Sequence, residues 1–186
     1  MSDGREPPAW IVAARAHWQD ARRPDSIVTP QPGQESVWDY PRPPLLQAVA
    51  KPVRIVFAGE QIAHTVRAMR ICETASPPTY YVPPDDVDAS VLEPLQRSSV
   101  CEWKGEASYF DVIVGARRAP AAVWCYANPY KPFGAIAGWL SFMPAAMDAC
   151  FVGDDQVAAQ PGGFYGGWIT PELTGPFKGE PGTGHW

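Results

Sequence analysis

The sequence predicts a mainly β protein: a small antiparallel fold with short helices and long irregular extensions at both ends. Three observations predict it. Proline and glycine are frequent, 22 and 16 of 186 residues, and a chain punctuated so often leaves little room for long helices. Runs of strand length recur, as in VRIVF (53–57), SYFDVIVG (108–115) and AAVWCYAN (121–128), rich in β-branched and aromatic residues. The links between these runs are short, which suits antiparallel neighbours. The length fits one domain with a real core plus extensions.

Composition divides the chain into three zones. Residues 1–50 form a Pro/Trp-rich arm in which AWIVAARAHW (9–18) makes two or three helical turns before Arg22-Arg23-Pro24. The stretch QPGQESVWDYPRPP (31–44) is expected to hold no regular hydrogen bonding, because proline removes donors and extends the residue before it. Trp38 and Tyr40 would pin this arm to the domain surface; a disordered leader is the alternative. Residues 51–152 form the β core domain. Val53 to Phe57 and Gln61 to Val66 flank Ala58-Gly59-Glu60 as a hairpin. SYFDVIVG and AAVWCYAN form the clearest antiparallel pair, joined by a link containing Arg117 and Arg118. DDVDASVLEP (85–94) reads as one short helix that opens on acidic residues and closes before Pro94. GAIAGWLSFM (134–143) fits a buried strand or a short helix equally. Residues 153–186 form a Gly/aromatic strap packed on the core. Its last 26 residues carry eight glycines between Phe164, Tyr165, Trp168, Phe177 and Trp186, rings too costly to leave in water. Phe164, Trp168 and Phe177 are expected to dock in grooves, with Lys178 near the pocket mouth.

A formal charge of −5 and a pI near 5.1, with no basic block, argue against nucleic acid as a partner. No stretch approaches the roughly 20 apolar residues of a membrane span, and the N-terminus has no signal-peptide run. A cytoplasmic location with reduced thiols is expected. Cys72, Cys101, Cys125 and Cys150 make no CxxC pair and have no histidine at ligand spacing. No metal and no cofactor are therefore expected. The expected partner is a small-molecule ligand, with a homodimer left open.

RICETASPPTYYVPPDDV (70–87), CEWKGEASYFDV (101–112), AVWCYANPY (122–130) and GGWITPELTGPFKG (166–179), in this order, resemble the domain of unknown function 427 family, also labelled as a nucleotidyltransferase domain. The resemblance covers most of the chain from about residue 50. It implies a small antiparallel β-fold similar to the β-tent domains of the methionine sulfoxide reductase B group. Those relatives often hold zinc through two CxxC pairs, which this sequence lacks, so no zinc role is carried over. Nucleotidyl transfer needs carboxylates to hold Mg²⁺, or a Gly-rich turn ahead of a helix. The acidic cluster Asp85-Asp86-Val87-Asp88 is explained by helix capping, and the glycines of GGFYGG and GEPGTG end in no Gly-Lys-Ser/Thr.

The candidate site centres on Lys104 in CEWKGEASYF. A lysine pointing into a pocket walled by Trp103 and Tyr109 would have its pKa lowered by desolvation and be ready for acid, base or anion-binding work. The alternative is a stem lying on a ring with its head in water. Glu73 is a general base, the counter-ion of Lys104, or half of a plain ion pair. Arg70 and Cys72 fall on one face of the strand and Glu73 on the other, so Arg70 and Glu73 meet only through a bulge. Tyr80 and Tyr81 face opposite sides, and one of them lines the site. Cys101 is a candidate nucleophile beside Lys104, but His17, His64 and His185 all lie far along the chain, and a small buried hydrophobe is the alternative. Trp124 and Tyr126 share a face as core packing or as a wall for a planar ligand.

Lys104 and Glu73 are thus the catalytic candidates, and Arg70, Tyr80, Tyr81, Cys101, Trp103, Tyr109, Trp124 and Tyr126 the binding ones. They fit a small-molecule-binding protein or a metal-independent enzyme with a Lys/Glu pair in an aromatic pocket. The alternatives are a non-catalytic ligand-binding module and, more weakly, a nucleotidyltransferase. An interaction protein acting through PRPP lacks the PxxP repetition of a strong peptide ligand.

Overall fold

Punctuation by proline and glycine yields many short strands: the computed structural model, which describes residues 5–16 and 23–186, is 43% strand and 15% helix. The apolar run at 9–18 forms α1 (Ala9–Ala16); His17 and Trp18 lie outside the described residues. Only Ile11 of α1 is buried. Arg15 holds the helix down, its guanidinium over the rings of Trp103 and Tyr130 at 5.2 and 5.5 Å and its Nε donating to the Glu102 carbonyl at 2.8 Å.

The arm carries more regular hydrogen bonding than its prolines suggest. β1 (Glu35–Ser36) pairs in parallel with Leu173 and Thr174, because the tail supplies a partner that no local pattern encodes. Ser36 then caps a 3₁₀ turn, Val37–Asp39, accepting from the Trp38 amide at 3.2 Å. Trp38 is buried and its indole donates to the Pro176 carbonyl at 2.8 Å. β2 (Leu45–Ala48) pairs with residues 69–72.

β3 (Val53–Phe57) and β4 (Glu60–Thr65) make the expected hairpin, with Val53, Ile55 and Phe57 buried. β5 (Met69–Glu73) and β6 (Ser76–Tyr81) make a second. The helix expected over 85–94 is absent. Two 3₁₀ turns, Pro84–Asp86 and Ala89–Val91, stand there instead, and β7 (Leu92–Cys101) includes Pro94, with its pairing register shifting between Pro94 and Ser98. Tertiary pairing overrides the acidic helix-start signal, and an edge strand tolerates the donor that proline lacks. Asp88 caps the second turn, accepting from the Ser90 amide at 2.9 Å, whereas Asp86 pairs with Arg67 at 2.8 Å and accepts from Thr65 at 2.5 Å.

β8 (Gly105–Val114) and β9 (Arg117–Cys125) form the predicted antiparallel pair. Arg117 and Arg118 are the first residues of β9 rather than a link. The ambiguous segment splits: part of it belongs to a 3₁₀ turn at Lys131–Ile136 and part to β10 (Leu140–Phe142). β11 (Ala149–Val152), β12 (Asp155–Gln156), β13 (Ala158–Ala159), β14 (Trp168–Ile169) and β15 (Leu173–Thr174) complete the order.

The strands assemble as β10-β9-β8-β7, β12-β11-β3-β4 and β2-β5-β6, with the two small pairs β13-β14 and β1-β15. The main core gathers Val53, Ile55, Tyr80, Val112, Val123, Phe142 and Trp168. A second cluster holds Ile71, Tyr81, Trp103, Trp124, Tyr126 and Phe133, and a third joins Val37 and Trp38 to Ala75 and Leu173. No helix of the described residues is long and apolar enough to cross a membrane.

The tail docks unevenly. Trp168 is wholly buried, stacked on Tyr80 at 5.0 Å, with its indole donating to the Phe142 carbonyl at 3.0 Å. Phe177 packs partly buried against the third cluster. Phe164 does not dock: it is 80% exposed, edge-on to Tyr165. At Gly166 the strap lies directly on Trp124, where an added Cβ would stand 2.2 Å from the ring's Cη2. Gly166→Ala is expected to cost about 1–3 kcal/mol, as overpacking does in a close-packed site. Chemical denaturation checks this, and a variant as stable as the parent would mean that the strap lifts off Trp124 freely.

Candidate functional site

Strand alternation separates the candidate residues before any tertiary contact is considered. On β6, Tyr80 falls into the main core and Tyr81 into the second cluster; beyond β9, Tyr126 joins Trp124 on the face opposite Cys125. The second cluster thereby collects Tyr81, Trp103, Trp124 and Tyr126. Lys104 is delivered into it by the turn between β7 and β8. Gly105, at φ +104°, adopts a backbone conformation that a side chain would strain, and the Lys104 carbonyl accepts from the Tyr130 amide at 3.0 Å.

Lys104 is 9% exposed, with its Nζ 5.9 Å from the centre of the Tyr126 ring. Among the described residues no carboxylate lies within ion-pair distance of it. Burial works against its charge and is the largest influence on it, but Cys101, Tyr126, Tyr81 and Glu73 work the other way and hold its pKa well above the ordinary lysine value. The direction is thus opposite to the expected lowering, and Lys104 is an ammonium at neutral pH. Burial pushes the Tyr81 and Tyr126 phenols up as well. Both are neutral donors around that cation.

Glu73 does not contact Lys104 directly. It pairs with Arg42 at 3.3 Å, and the same guanidinium donates to the Thr74 carbonyl at 3.1 Å. Arg42 is the more deeply buried partner, its side chain 4% exposed against 23% for Glu73. Glu73 therefore reaches Lys104 through its field alone. Cys101, at the end of β7, adjoins the Lys104–Tyr81–Tyr126 group as a free thiol; His64 and His185 are both exposed, and His17 lies outside the described residues. Trp103 is buried beneath Arg15, and its indole nitrogen has no hydrogen-bond partner. Tyr109 borders the cluster, its hydroxyl 2.7 Å from Ser99 Oγ and its ring under Arg97.

Arg70 and Tyr80 belong elsewhere. Arg70 is paired with Glu35 and donates to Gln47 at 3.2 and 3.0 Å. Burial pushes the neighbouring Tyr80 phenol up to about 12. A cleft of about 460 Å³ includes Arg70 and Tyr80, and one of about 390 Å³ includes Cys72; neither is lined by Lys104. Arg70 and Glu73 stay apart, on Glu35 and Arg42 respectively, although the β5–β6 register shifts between Ile71 and Glu73.

The structure adds Arg42 and Tyr165, which the sequence pattern left out, beside Lys178, which it expected near the pocket mouth. Arg42 sits in the PRPP stretch, where only its isolation among prolines marks it. Lys178 and Tyr165 come from the strap. Lys178 is buried with its Nζ 5.7 Å from the Tyr165 ring centre and donates to a main-chain oxygen of Trp186 at 2.5 Å. Burial and the Arg42 charge lower its pKa, opposed by Glu73 and Glu102. Gln160 ties the strap together, donating to the Lys178 carbonyl at 2.8 Å and accepting from the Gly167 amide at 3.1 Å.

The hydroxyl of Tyr81 is the sharpest anomaly. Tyr81 is fully buried, yet this oxygen makes no hydrogen bond of normal geometry, although the Trp124 and Thr79 side chains stand beside it, and an orphaned buried hydroxyl costs about 1–3 kcal/mol. Tyr81→Phe is expected to melt at the same temperature as the parent or higher, and to bind ligand less tightly. A drop in melting temperature would show that the hydroxyl serves the fold.

No three His, Cys, Asp or Glu side chains among the described residues group as a metal site. The family model described as "Domain of unknown function (DUF427)" matches residues 45–153. Its short label reads as a nucleotidyltransferase, but its description assigns no activity. No curated protein matches the chain.

Proposed function

The chain belongs to the DUF427 family, and we propose that it is a small-molecule-binding protein whose ligand is anchored by Lys104 inside the aromatic cluster. One observation carries this reading. An ammonium buried without an ion-pair partner stands beside a buried hydroxyl that also lacks one. Buried charges and polar groups are ordinarily paired, because leaving them bare is costly. A ligand acceptor would satisfy both. Binding without turnover is favoured over catalysis, since Glu73 is engaged by Arg42 and Lys104 is protonated, leaving neither ready to accept a proton. The nucleotidyltransferase reading has less support, because Asp86 and Asp88 are engaged by Arg67 and Ser90.

The test is a thermal-shift screen of the full chain against nucleotides, cyclic amides and carboxylic metabolites, repeated on Lys104→Met. A compound that raises the melting temperature of the parent alone supports the reading. Hits that shift both proteins equally place the site elsewhere.

A further inference from the structure

The four thiols of the chain are not equivalent. Cys72, Cys125 and Cys150 are buried, and Cys101 is partly exposed. Burial pushes the Cys72 thiol up to about 11 and the Cys150 thiol up to about 12, and raises Cys125 as well. None of the three readily supplies the thiolate that thiol chemistry requires. Cys125 and Cys150 belong to the main core, and the Cys72 sulfur lies 3.5 Å from Gln47 Oε1. Cys101 alone packs at the border of the second cluster.

Position gives Cys101 both access and a counter-ion. It ends β7, the outer strand of the β10-β9-β8-β7 sheet, and the preceding Val100 is 54% exposed. Its register partner is Gly105, so the short turn between them brings Lys104 back to the same end of the hairpin. Of the groups that raise the pKa of Lys104, Cys101 acts most strongly. This ammonium is buried, over the Tyr126 ring at 5.9 Å, and has no ion-pair partner among the described residues. A cation beside a sulfur favours its anionic forms, the thiolate that attacks an oxidant and the sulfenate that results. A sulfenate there would give Lys104 the charge-assisted contact that it lacks. No second thiol shares the cluster, so the product has no internal disulfide to collapse into.

We propose that Cys101 is a modification site, the one thiol of the folded chain that a hydroperoxide oxidises, with its sulfenate held by the Lys104 ammonium. The sulfur attacks the peroxide, and an S–O bond forms as the O–O bond breaks. Sulfur loses two electrons and the peroxide gains them. The leaving oxygen takes the thiol's proton and departs as water or an alcohol, and the sulfenic acid gives its own proton to solvent. The inference uses Lys104 but needs no bound ligand, so it stands or falls separately from the binding reading. The full chain and Lys104→Met are treated with hydrogen peroxide in the presence of dimedone, which traps sulfenic acids, and adducts are mapped and timed by mass spectrometry. An adduct confined to Cys101 is expected, formed about 10-fold or more slowly in Lys104→Met, the scale of one lost charge-assisted contact. A second measurement needs no variant to fold. At Cys101 of the native parent, iodoacetate should gain several-fold on iodoacetamide relative to the urea-unfolded chain, because the ammonium draws the anionic reagent. No adduct at Cys101 of the parent, or adducts spread over its buried thiols, overturns the proposal. Equal rates in the parent and a folded Lys104→Met, or no gain for iodoacetate on folding, removes Lys104 from the chemistry and overturns it too, leaving the ligand anchor untouched.

Discussion

Lys104→Met is expected to remove ligand binding while leaving the protein folded. Methionine keeps an apolar stem of similar length, so the rings around it stay packed. Only the charge disappears. Losing a hydrogen bond to a charged group costs about 1.5–3 kcal/mol, which lowers affinity by roughly 10- to 150-fold. Stability should move little, within about 1 kcal/mol, because no carboxylate is paired with Lys104 and none is orphaned by its removal. Titration and denaturant melts of both proteins check the two halves. A loss of about 3–5 kcal/mol, the scale of a broken buried pair, would make Lys104 a structural residue and move the site.

Removal of everything after Gln160 is expected to abolish most of the stability. Trp168 fills the main core and hydrogen-bonds there, and losing such a side chain alone costs about 3–5 kcal/mol. The third cluster loses Leu173, Phe177 and Trp186, the surfaces against which Val37 and Trp38 pack. β1 loses its only strand partner in the described sheets. These losses rival the 5–15 kcal/mol that holds a typical domain together. Phe164 contributes nothing to the expectation, because it is exposed. Circular-dichroism melting of the shortened chain and of Trp168→Ala measures the effect. An unchanged melting temperature after the cut would show a loose strap, and Tyr165 and Lys178 would then leave the site.

Which side chains share a face around Lys104 was partly legible locally, because side chains alternate across a strand. That alternation separates Tyr80 from Tyr81 and sets Cys125 opposite Trp124 and Tyr126. The packing of Arg70 and Tyr80 away from Lys104 was not legible in the same way. Alternation says which residues share a face, but not which faces meet, and these two look onto Glu35, Gln47 and Trp168.

The sequence by itself determined the β class, the hairpin over 53–66, the antiparallel pairing of 108–115 with 121–128, and the composition of the aromatic motif around Lys104. These depend on residues within one or two turns of each other, where period-two patterning and turn chemistry act directly. Tertiary structure alone decided that Glu73 would take Arg42 as its partner, that the tail would deliver Tyr165, and that Pro94 would sit inside a strand. Each outcome depends on segments far apart in the chain. A charged group pairs with whichever opposite charge packing brings within reach, and an edge strand forms wherever a neighbour offers its backbone, so neither is written in local sequence.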